Sequence, residues 1–214
     1  MRRTANPSLS LTIGARAAVL TTVGLALLLL LAGSAHSAVV WDESIDGELS
    51  DDHNNPTLIA LSSGANDVSF TTNATPVQDR EYFRFEVPTG FELTSVVFTA
   101  FTTSPATNLG FLGVTAGASV PTPPTAPDVT ALLGYTLIGL SDVGSDVLAG
   151  MGSAGGAQGF SGPLGTGSYS WWAQETGPSV DDWTLTFNLT PVPEPGTALL
   201  LGLGLAGLAT RKRG

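Results

Sequence analysis

The sequence predicts an all-β chain, an antiparallel β-sandwich of jelly-roll-like kind held between two apolar ends. Three observations predict it. Glycine and proline are abundant, 26 and 14 of 214 residues, which suits a turn-rich β protein and disfavours a helical bundle. Several segments alternate apolar and polar side chains with a period of two, and no stretch of the middle keeps helical periodicity for three turns. The chain has no cysteine, so a disulfide scaffold, a zinc–thiolate site and a thiol nucleophile are all excluded. About 150 residues are enough for one core without cross-links.

The first element is an N-terminal signal. Arg2, Arg3 and Arg16 precede an apolar run from Ala17 to Ala32, and small side chains follow at Ser34, Ala35, Ser37 and Ala38. This three-part layout predicts that residues 1–37 are a secretory signal helix, removed by signal peptidase. Ala35 and Ser37 favour cleavage between Ser37 and Ala38, with cleavage before Val39 as the alternative. An uncleaved membrane anchor fits the small-residue site less well, and the paired arginines lack the surroundings of a folded-protein export signal.

Residues 38–190 form the predicted sandwich. Phe83, Phe85 and Val87 share one face, opposite Tyr82, Arg84 and Glu86. Trp183, Leu185, Phe187 and Leu189 line one face of the last strand, opposite Asp182, Thr184, Thr186 and Asn188. The segment 91–100 is apolar on both faces in places, as a central strand can be. Shorter candidates are 39–41, 58–61, 68–71, 109–114, 132–138 and 169–173. Eight or nine short strands suggest two antiparallel layers. Two irregular stretches interrupt them: 116–130 holds four prolines and reads as a long loop, and 149–167 holds eight glycines in nineteen residues and reads as a mobile one.

The last element spans residues 191–214. Val192-Pro193-Glu194-Pro195-Gly196 leads into an uncharged Leu/Gly/Ala run over 197–210, and Arg211-Lys212-Arg213 follows. Fourteen helical residues span about 21 Å, short of a bilayer core of roughly 30 Å without help from the flanks. The basic triplet would stay cytoplasmic and leave the acidic domain outside. The order and spacing of the three parts resemble the PEP-CTERM sorting signal of Gram-negative bacteria. That resemblance implies that Pro193, Glu194 and Pro195 are read by an exosortase, a membrane protease-transferase that removes the tail, and that the setting is exopolysaccharide or biofilm. Two prolines also forbid regular helix and keep the segment extended, as a protease groove requires. A plain proline-rich linker ahead of a tail anchor is the simpler alternative.

The middle has a looser likeness. Asp46-Gly47-Glu48-Leu49-Ser50-Asp51, residues 79–90, Gly167-Ser168-Tyr169-Ser170-Trp171 and Trp183-Thr184-Leu185-Thr186-Phe187 resemble bacterial pre-peptidase C-terminal domains over about 46–189. The resemblance implies a β-sandwich module of a secreted protein, similar in architecture to carbohydrate-binding modules.

Charge narrows the partners. Between Ala38 and Val192 lie two basic residues, Arg80 and Arg84, against 17 acidic ones, a net charge of −15. Such a surface repels phosphate backbones, which excludes nucleic acid. Asp46, Glu48, Asp51 and Asp52 cluster ahead of a strand and offer the oxygens calcium prefers, though without the glycine and terminal glutamate of an EF-hand. Calcium is therefore the one cofactor considered, and solvated surface charge is the simpler reading. Trp171 and Trp172 are adjacent, so in a strand one ring should point inward and the other outward, where it could stack on a sugar. His53 is the only histidine after the signal, too little for a Ser-His-Asp triad to be read from sequence. The expectation is a non-enzymatic, exported structural or binding protein, transiently membrane-anchored and then released to the cell surface or beyond. A carbohydrate-binding module is the alternative, and a hydrolase ranks behind it.

Overall fold

A computed structural model describes residues 37–74, 77–193, 196, 203 and 204. The expected signal helix, apart from Ser37, and the expected membrane helix, apart from Leu203 and Gly204, lie outside the described residues. No helix among the described residues is long and apolar enough to cross a membrane.

The described residues hold nine strands: β1 (Ala38–Asp42), β2 (Thr57–Leu58), β3 (Gly64–Asn73), β4 (Glu81–Val87), β5 (Phe91–Thr102), β6 (Gly110–Ala116), β7 (Gly134–Ile138), β8 (Gly167–Glu175) and β9 (Val180–Pro191). Each segment picked out by alternation falls on one of them, with ends shifted by a few residues. Two short helical turns, α1 (Glu43–Asp46) and α2 (Leu148–Gly152), join them. The strands form a four-stranded sheet, β1-β3-β9-β5, and a five-stranded sheet, β2-β4-β8-β6-β7. Two pairs depart from the expected antiparallel pattern: β1 runs parallel to β3, and β2 parallel to β4. The chain crosses to the opposite sheet at each step from β1 to β4, so a strand and the next-but-one lie side by side and point the same way.

Period-two alternation turns one face of each sheet inward. Phe83, Phe85 and Val87 on β4, Trp171 and Ala173 on β8, Leu112 and Val114 on β6, and Trp183, Leu185, Phe187 and Leu189 on β9 are all buried in one core. Phe85 packs edge-on to Phe187 with ring centroids 5.1 Å apart, and Trp171 meets the same ring at 5.1 Å. Gly110 is required here, because a Cβ on it would lie 2.1 Å from Cη2 of Trp183 across the sandwich.

The mixed pattern of 91–100 has a different cause from the one expected. β5 is an edge strand, not a central one. Register shifts between Leu93 and Ser95 and between Phe98 and Ala100 break the alternation, so Leu93, Val96, Phe98 and Phe101 all face the core. Residues 144–147 satisfy its free edge, with Phe98 N–H donating to the Ser145 carbonyl at 3.0 Å and Val147 N–H to that of Val96 at 2.9 Å.

Both irregular stretches are tied down. The proline-rich loop lies on the outer face of the five-stranded sheet, where Val120 and Leu132 bury Tyr82 and Trp172 in a second small core. The glycine-rich stretch is not the mobile loop that its composition predicts. Its backbone is anchored instead, by Gln158 N–H to the Leu132 carbonyl, Gly159 N–H to that of Leu133, and a bridge between Leu164 and Leu93.

Candidate functional site: an acid-lined end of the sandwich

The inward face of β4 does not start with an apolar residue. Glu81 lies two positions before Phe83, in the same phase, and pairs with Ala173 of β8. It is wholly buried, and neither carboxylate oxygen has a hydrogen-bond partner. The same extension of the core face places Glu175 after Trp171 and Ala173 on β8, and Asp181 before Trp183 on β9. Both are buried, 1% and 0% exposed. Asp181 Oδ2 accepts from Asn108 Nδ2 at 2.8 Å, whereas its Oδ1 and both oxygens of Glu175 are unpartnered. One end of the sandwich therefore carries three buried acids where the core face continues past its last aromatic layer.

Two further carboxylates reach Glu81 from the 43–50 segment. Asp42 caps α1, accepting from Ser44 N–H at 3.0 Å, and Asp42 N–H donates to Asp46 Oδ2 at 2.8 Å. The turn ends at Gly47, whose φ of 94° sends the chain back past Glu43. Glu43 is fixed at both oxygens, accepting from Thr71 N–H at 2.8 Å and Leu49 N–H at 3.3 Å. Tyr82 N–H donates to the Ser50 carbonyl at 2.9 Å, which lays the Glu48–Ser50 stretch beside the start of β4. One carboxylate oxygen from each of Glu43, Glu48 and Glu81 then lies within 4.8 Å of the others.

Acidic side chains crowd this corner, and Glu43, Asp79 and Glu81 are each held above the ordinary titration range. Burial, and then the charges of Glu43, Asp79, Glu48 and Asp51, push Glu81 up to about 10. Burial raises Glu43 to about 7 and Asp79 to about 6, with Glu48 repelling each. Burial and the neighbouring Asp181 raise Glu175 to about 7. The two cations of the domain are engaged elsewhere: Arg80 donates to Gln78 and Gln174, and Arg84 pairs with Glu86 at 3.3 Å.

Of the acids singled out from sequence, only Glu48 joins this cluster. Asp46, Asp51 and Asp52 are exposed; Asp46 accepts from the Asp42 N–H at the end of β1, and Asp52 Oδ1 accepts from Asn54 N–H at 2.9 Å. Glu43, Glu81 and Glu175 are not among the acids that the sequence singles out. The signal lay in the alternation, since Glu81, Glu175 and Asp181 each extend an apolar face by one step.

The remaining candidates are placed as follows. Trp171 and Trp172 point to opposite faces as expected, but both are buried, at 0% and 2% exposure. Trp171 fills the main core, and Trp172 packs against Val120 and Leu132 and helps line a hollow of about 170 Å³ with Phe111, Val129 and Leu132. Neither ring presents a face to solvent. His53 is a structural tie, with Nδ1 2.7 Å from the Val120 carbonyl and Nε2 3.1 Å from Asn54 Nδ2. Ser37 and Ala38 are exposed, and the bond between them lies at the outer limit of β1. Among the described residues the last backbone tie to the sandwich is Val192 N–H to the Gly90 carbonyl at 2.8 Å, and Pro193 beyond it is exposed. Glu194 and Pro195 lie outside the described residues.

Comparison with known families gives one match: residues 191–213 match the PEP-CTERM protein-sorting motif. The looser likeness of 46–189 to pre-peptidase C-terminal domains gains no support from the comparisons. No curated protein and no solved structure matches the chain.

Proposed function

We propose that this is an exported protein of a Gram-negative bacterium, sorted through its C-terminal motif by an exosortase-type membrane enzyme and released as an acidic β-sandwich to the cell surface or its surroundings. The observation that carries the reading is the PEP-CTERM match over 191–213. The exposed exit of the chain at Pro193 supports it, because a protease needs an extended, unpaired segment to grip. Signal peptidase acts at the other end, between Ser37 and Ala38 or one residue later, and the 197–210 run holds the protein in the membrane until the tail is removed.

On this reading the released domain is a non-catalytic component of an extracellular polysaccharide or biofilm matrix. A net charge of −15 over 38–192 favours a soluble domain with little affinity for anionic lipid or nucleic acid. Burial of Trp171 and Trp172 gives the sugar-stacking alternative no exposed ring, so the structural role is preferred over that of a carbohydrate-binding module.

Intact-mass analysis and terminal sequencing of protein from the native host test the sorting step. The expected product begins at Ala38 or Val39 and lacks Arg211, Lys212 and Arg213, whereas Glu194→Ala should accumulate with the tail attached. A stable wild-type product that keeps the basic triplet would overturn the proposal.

A further inference from the structure

The Glu43–Glu48–Glu81 corner poses a chemical question that sorting does not answer. A buried carboxylate normally finds hydrogen-bond donors or a cation, because stripping its water without compensation costs several kcal/mol. Glu81 has neither, although it is wholly buried and its side chain reaches the same small space as the oxygens of Glu43 and Glu48. Three carboxylates converge there, with Asp79 and Asp51 close enough to add to the negative potential. Among the described residues the arginines are Arg80 and Arg84, and their side chains bond to Gln174, Gln78 and Glu86 instead.

We propose that Glu43, Glu48 and Glu81 form a calcium site that closes this end of the sandwich. The donor set is all oxygen, with no thiol or free imidazole, so it suits a hard divalent cation and not zinc or copper. Glu43 is pre-positioned by its two backbone donors, and Glu48 sits on the solvent side, where an ion would enter. Glu43 follows β1 of one sheet, and Glu81 opens β4 of the other. A bound ion would therefore tie the two sheets together and supply the partner that the buried oxygens of Glu81 lack. The inference is independent of how the chain is sorted.

The test uses the full chain, stripped with chelator and titrated with calcium chloride by calorimetry, with melting followed in parallel. One calcium per chain is expected. At 100 times its dissociation constant it should raise the melting temperature by roughly 5–10 °C. Sodium at matched ionic strength should not do so, since screening does not select calcium. Glu48→Gln and Glu81→Gln should each weaken calcium binding at least tenfold, while Asp52→Asn should leave it unchanged. Glu48 is exposed, so Glu48→Gln keeps the test valid even if Glu81→Gln fails to fold. Identical melting in calcium and in chelator would overturn the site. So would a calcium response that survives both glutamine variants, or one that sodium reproduces.

Discussion

Replacing Glu175 by glutamine should stabilise the protein at neutral pH and do nothing in acid. Glu175 is 1% exposed, both its oxygens lack partners, and burial together with Asp181 lifts it from 4.5 to about 7. Between those values the folded chain holds a proton that the unfolded chain has released. The stability linked to this group is therefore complete below pH 4.5 and is lost as pH rises through 7. Each tenfold in proton affinity is worth about 1.4 kcal/mol, so the loss amounts to about 3 kcal/mol. Glutamine keeps the shape and cannot ionise, so it should recover about 3 kcal/mol near pH 8, or roughly 6–12 °C in melting temperature for a domain of this size. Urea melts of both proteins in chelator, from pH 4 to pH 8, provide the assay. A stability difference that does not change with pH, or a Glu175→Gln protein that is the less stable at pH 8, would refute the reasoning.

Phe85→Ala and Phe187→Ala should each cost about 3–5 kcal/mol in urea melts, because both rings are wholly buried at the centre of the aromatic core. Gly110→Ala forces a methyl group to within 2.1 Å of Trp183 and should destabilise by about 1–3 kcal/mol or more, while Gly155→Ala, with nothing within 4 Å, should be near neutral. Far-ultraviolet circular dichroism of the exported domain should be dominated by β structure; a helical spectrum would contradict the two-sheet architecture.

What the sequence determined by itself is what depends on short spans of chain. Phe83, Phe85 and Val87, and Trp183 through Leu189, have only to alternate to declare a half-buried strand, because side chains on a strand change face at every residue. The match over 191–213 is likewise legible without coordinates, since the motif is a run of consecutive residues. Tertiary structure alone decided what those strands face. Trp172 points outward as alternation requires, yet the 117–133 loop folds back over it, and no local pattern encodes that cover. The bulges of β5 hid the phase of its core residues, so an edge strand looked central. Glu43 and Glu81 are 38 positions apart in sequence and meet only because β1 and β4 belong to opposing sheets whose ends coincide. Sequence proximity groups Glu48 with Asp46, Asp51 and Asp52. The fold regroups it with two distant glutamates, because a site's carboxylates are gathered by the closing of the sandwich and not by their spacing along the chain.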